Sequence, residues 1–128
     1  MSKTALIVED EIFVALDLER ILTDGGYTVV AIAADRLEAE AAADRATFAF
    51  VDVNLRDGCT GPAIARAIEA EHGVRVVFVT ANPAQIEPPC SALGFVRKPF
   101  NEAQILAAAA LACNEDAPPR TTGALAAL

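Results

Sequence analysis

Phe48-Ala49-Phe50-Val51-Asp52-Val53-Asn54-Leu55 decides how the rest of the chain is read. Its first four residues are the apolar, β-favouring run of a strand covered on both faces. Asp52 ends that run. A carboxylate at the carboxyl end of a buried parallel strand lies where open α/β sheets bind ligands. Taken alone, it is equally a solvated acid at a strand end. What decides is whether other acids, a hydroxyl and a cation stand at the ends of the neighbouring strands.

Upstream, Thr4-Ala5-Leu6-Ile7-Val8 is a second buried strand, met at once by Glu9-Asp10-Glu11. A helical pattern follows, with Ile12, Ala15, Leu16 and Leu22 as its inner face, widened by Leu18 and Ile21. Gly25-Gly26 ends it. Tyr27 to Ala34 reads as a strand. Asp35 with Glu38 three residues on is a capping box opening an Ala-rich helix that ends near Asp44-Arg45-Ala46.

Downstream, Asp57-Gly58 marks a turn. Gly61-Pro62 opens a helix with Ile64 and Ile68 inward, closed by His72-Gly73. Val74 to Val79 is a strand ending at Thr80. Pro83, Pro88 and Pro89 break the crossover that follows, leaving at most a single turn from Pro83 to about Glu87. Phe95-Val96-Arg97 is a short strand and Lys98-Pro99-Phe100 a loop. Asn101, with Gln104 three residues on, caps a last helix whose inner face is Ile105, Ala108, Ala109 and Ala112. Residues 1–114 make one domain, and residues 115–128 read as a loosely ordered tail. Strand and helix alternate five times, which implies an α/β fold: a parallel sheet with helices on both faces and every strand end on one edge.

Composition narrows the function classes. With 128 residues, 54% hydrophobic and 22% charged, the chain suits one globular core. A net charge of −8 argues against a nucleic-acid surface. Cys59, Cys90 and Cys113 are odd in number and lack paired spacing, so neither a disulfide framework nor a zinc site is expected. Reduced thiols suit a cytoplasmic protein. The first apolar run is too short for a signal peptide, and none reaches membrane-spanning length.

The strand ends collect Glu9 and Asp10, Asp52, Thr80 and Lys98. Carboxylates brought close need a counter-charge. A hard divalent cation such as Mg²⁺ supplies one through oxygen ligands, and no His or Cys stands with them to favour a softer metal. Lys98 adds a point charge and Thr80 a hydroxyl, both suited to phosphoryl oxygens. Phosphoryl transfer onto Asp52 fits this set, because a carboxylate is a competent nucleophile. No Gly-rich loop with a Lys-Ser/Thr ending is present, so ATP is not the expected direct donor. Individually, Thr80 is a strand-end hydroxyl, Phe95 a core aromatic and Lys98 a solvated loop charge. His72 fits a helix C-terminus rather than a catalytic base.

Val8-Glu9-Asp10-Glu11, Asp52-Val53-Asn54-Leu55, Thr80-Ala81 and Lys98-Pro99-Phe100, in this order, resemble the receiver domain of bacterial response regulators. The resemblance runs from about Lys3 to about Cys113. It implies a flavodoxin-like (βα)5 fold with strand order 2-1-3-4-5 and here a shortened, irregular fourth helix. It implies a stand-alone phospho-switch of a two-component or phosphorelay pathway. Asp52 would be the phospho-acceptor. Asp10, Asp52 and the backbone carbonyl of Asn54 would ligate Mg²⁺, with Glu9 acting through a water. Lys98 would pair with the acyl phosphate, Thr80 and Phe95 would switch inward together, and the Lys98-Pro99 bond would be cis. The donor would be a phosphohistidine on a sensor histidine kinase or phosphotransfer protein. The altered fourth helix argues against a standard dimer and for a monomer or weak dimer. Two alternatives stand beside this: a phosphorylation-independent interaction module, and a Mg²⁺-dependent aspartyl phosphohydrolase. The second needs an acid two residues after the nucleophile, where this chain has Asn54.

Overall fold

The computed structural model describes residues 3–86 and 92–113. Five strands, β1 (Thr4–Val8), β2 (Thr28–Ala33), β3 (Phe48–Asp52), β4 (Arg75–Thr80) and β5 (Gly94–Arg97), form one parallel sheet in the order 2-1-3-4-5. Among the described residues four α-helices accompany them: α1 (Ile12–Asp24), α2 (Arg36–Ala42), α3 (Gly61–His72) and α4 (Glu102–Cys113).

Alternation along the strands builds two cores, because successive side chains leave opposite faces of a sheet. Ala5, Ile7, Phe48, Phe50, Val77 and Val79 face α1 and α4. Leu6, Val8, Ala49, Val51, Val76 and Phe78 face α2 and α3. The central strands are buried on both sides, as their unbroken apolar sequences require.

The helix ends follow local chemistry. Asp35 accepts from the Glu38 N–H at 3.0 Å, while the Glu38 carboxylate reaches back to the Ala34 N–H at 2.7 Å. Asn101 and Gln104 exchange the same kind of bonds at 2.8 and 2.9 Å. Gly73, at φ 67°, closes α3 in the left-handed region that favours glycine.

One helix face differs from expectation. Ile12 and Leu16 are 56% and 46% exposed, and the inward face of α1 is Ala15, Leu18, Ile21 and Leu22. The segment carries more apolar residues than one helical stripe can bury, so packing against β1 and α4 selects the stripe. Two boundaries shift by a residue: β2 is Thr28–Ala33 rather than 27–34, and β5 begins at Gly94. Between β4 and β5 the only described helical piece is a 3₁₀ turn at Pro83–Gln85. Glu87, Pro88, Pro89 and Cys90, and the whole expected tail, lie outside the described residues.

Candidate functional site

The register of the sheet brings the strand ends level. Val8 pairs with Val51, so Glu9 follows β1 beside Asp52 at the end of β3. Asp52 pairs with Val79, and Thr80 with Arg97, which sets Thr80 and Lys98 along the same edge. The Lys98 N–H also donates to the Thr80 carbonyl at 2.9 Å.

Lys98 Nζ stands between two carboxylates. It donates to Glu9 Oε1 at 2.9 Å and to Asp52 Oδ2 at 3.1 Å. Each acid spends its other oxygen on backbone: Glu9 Oε2 accepts from the Glu11 N–H and Asp52 Oδ1 from the Asn54 N–H, both at 3.2 Å. Asp10 joins them. One oxygen from each of Glu9, Asp10 and Asp52 lies within 4.8 Å of the others. The lysine's peptide bond to Pro99 is cis.

Glu9 is 2% exposed and Asp52 6%, so neither charge is quenched by bulk water. Burial and the neighbouring Asp52 push the Glu9 carboxyl up to about 7, against the pull of Lys98. Burial works against the Lys98 ammonium, but its bonds and charge contacts with Glu9 and Asp52 outweigh that and raise it. Three carboxylates against one ammonium leave the cluster anionic when all are ionised. Clustered oxygen donors with surplus negative charge are what a hard divalent cation selects, and the cluster holds no softer ligand.

Thr80 is fully buried, and its hydroxyl accepts from the Asn82 N–H at 2.9 Å. Phe95 lies level with Phe78 and packs, partly buried, against the α2–α3 core. Asn54 is exposed, and its side-chain amide donates to Gln85 Oε1. Ala-sized bulk at Gly61 would collide with the Asp52 carbonyl and lie 2.7 Å from Val53 Cα. Glycine is therefore what lets the start of α3 sit directly on the end of β3.

The family model for the response regulator receiver domain matches residues 5–110. The chain belongs to that family. Among curated proteins, this receiver domain is 33% identical over 113 residues to the phyllosphere-induced regulator PhyR of Methylorubrum extorquens. That match takes in 84% of this chain but 42% of the relative, so the chain spans about two fifths of the relative's length. Among solved structures, the PhyR receiver domain of Erythrobacter litoralis superposes with a TM-score of 0.81 at 27% identity, covering 91% of this chain and 95% of that one. The anti-anti-sigma factor PhyR of Bartonella quintana gives 0.71 at 28% identity, over 87% of this chain and 48% of that one. Receiver domains are modules of phosphorylation-dependent signalling, and this chain has the fold of one.

Besides the close approach at Gly61, two features beside the site escaped the sequence. Gln85 carries no local signal, because its role depends on how the turn after β4 folds over Asn54. Exposed Phe13 did leave one: Ile12-Phe13-Val14 is more apolar than a single buried stripe needs.

Proposed function

We propose that Asp52 accepts a phosphoryl group from a phosphohistidine, and that its phosphorylation state is the signal. The observation that carries this is the Lys98 ammonium shared between buried Glu9 and Asp52 beside Asp10. A carboxylate oxygen of Asp52 attacks phosphorus, the P–N bond to the donor imidazole breaks, and its electron pair returns to that ring. Lys98 is placed to follow the charge onto the phosphoryl oxygens. Asp10, Asp52 and the Asn54 carbonyl would hold Mg²⁺, with Glu9 through a water. The ion would supply positive charge against the incoming oxygens. Thr80 and Phe95 then form the switch, by a shift in population between two arrangements. The chain acts as a signalling module, not as a turnover enzyme.

The donor is a sensor histidine kinase or a histidine phosphotransfer protein. Its docking surface is the apolar rim of the pocket. Ile12, Phe13 and Leu16 are exposed on α1, with Phe13 at 85%. A cleft of about 680 Å³ separates Phe13 and Val14 from Lys98-Pro99-Phe100. Exposed apolar surface of this kind marks an interaction site. The likeness to PhyR lies in the receiver portion, and supports the input step more than any particular output partner.

A phosphotransfer profile against the host's phosphorylated kinases tests the reading. At least one is expected to label the wild-type chain within minutes and leave Asp52→Asn unlabelled. A full-strength band on Asp52→Asn contradicts the assignment.

A further inference from the structure

The Asn54–Gln85 bond lies outside the acidic cluster, yet both of its ends lead into it. From Asn54, the backbone N–H donates to Asp52 Oδ1 at 3.2 Å. From Gln85, the backbone N–H donates to the Asn82 carbonyl at 3.2 Å, and the Asn82 N–H donates to Thr80 Oγ1 at 2.9 Å. Between them the Asn54 side-chain amide donates to Gln85 Oε1 at 2.5 Å. Four hydrogen bonds, linked through the covalent frames of Asn54, Gln85 and Asn82, therefore join the Asp52 carboxylate to the Thr80 hydroxyl by a route around the pocket.

We propose that Gln85 is a positioning residue for phosphorylation: its side-chain carbonyl latches the turn after β4 onto the loop after β3 and holds Thr80 in its Asn82-bonded rotamer. The inference rests on the acceptor reading of Asp52. The turn suits a latch. Pro83 fixes its own φ and offers no N–H, so the stretch from Asn82 to Gln85 is stiff and passes displacement on. Both ends of the run are touched by the reaction. Phosphorylating Asp52 weakens its carboxylate as an acceptor for the Asn54 N–H, which loosens Asn54 and its hold on Gln85. Swinging the Thr80 hydroxyl toward a phosphoryl group gives up the bond from Asn82, which loosens the turn from the other side. The latch therefore favours the unphosphorylated arrangement, and the two events release it together.

Two substitutions in the full chain test this. Gln85→Met keeps the length of the side chain and removes the acceptor, while Gln85→Glu keeps an oxygen acceptor. Before any phosphodonor is added, NMR of Gln85→Met is expected to show the Asn54 side-chain amide and the Asn82 backbone amide moved toward solvent-exposed values. Gln85→Glu is expected to retain the wild-type pattern at both. With Mg²⁺ and phosphoramidate, Gln85→Met is expected to form acyl phosphate roughly two- to tenfold faster, the population change that one partly exposed hydrogen bond can make. Unchanged amide signals in Gln85→Met, or an unchanged rate, overturn the latch. A wild-type chain that takes no phosphoryl group at all overturns the acceptor reading, and the role of the latch with it.

Discussion

Removing the Lys98 ammonium would leave Glu9 and Asp52 buried with no cation between them. Breaking a buried ion pair by deleting one partner is costly. The lysine side chain keeps 18% exposure, and Glu9 can take up a proton, so the cost falls below that of a fully enclosed pair. Lys98→Ala is expected to destabilise the metal-free protein by about 2–3 kcal/mol. Mg²⁺ should recover part of this, because a ligand that binds only the folded chain stabilises it. Urea unfolding with and without Mg²⁺ measures both. A loss of stability that Mg²⁺ leaves untouched would count against a cation site at these acids.

At the scale of elements, the site depends on how closely α3 approaches the end of β3. Gly61→Ala would press a methyl group into the backbone of Asp52 and Val53, which has no flexible end to yield. Overpacking of this sort costs about 1–3 kcal/mol. Gly61→Ala is expected to lower the denaturation midpoint by that amount and to slow acyl phosphate formation at least several-fold by displacing Asp52. A variant with wild-type stability and rate would mean that α3 moves away freely. These elements were largely readable in advance. The apolar run 48–51, the capping pairs Asp35–Glu38 and Asn101–Gln104 and the Gly73 terminator are local signals, and local physics decides them. The α1 face was not readable. Ile12-Phe13-Val14-Ala15-Leu16 is apolar on every side, so only tertiary packing could choose Ala15 over Ile12 and Leu16. The acids, Thr80 and Lys98 were legible because parallel connectivity forces strand ends to one edge. Their contact through Lys98 Nζ was not, since it depends on side-chain reach and register. Gly61 as a close-approach residue was hidden behind its plainer reading as a helix start.

Over the whole molecule, charge and surface divide the labour. The chain carries a net charge of −8, yet exposed Phe13 lines the cleft beside Lys98, and Ile12 and Leu16 are exposed on the same helix. Phe13→Ser is expected to change stability by no more than about 0.5 kcal/mol, as for an exposed surface position. It should slow transfer from a protein phosphodonor at least tenfold while leaving the rate with phosphoramidate unchanged. Equal slowing with both donors would place the effect inside the pocket instead of on the docking rim. The proposed signalling depends on one event, the gain of a phosphoryl group by Asp52 in the presence of a divalent cation. The direct measurement is the intact mass of the chain after incubation with phosphoramidate, with Mg²⁺ and with a chelator. The expected result is the addition of one phosphoryl group with Mg²⁺, little or none with the chelator, and none on Asp52→Asn. No addition to the wild-type chain, or an addition that survives Asp52→Asn, would contradict the account.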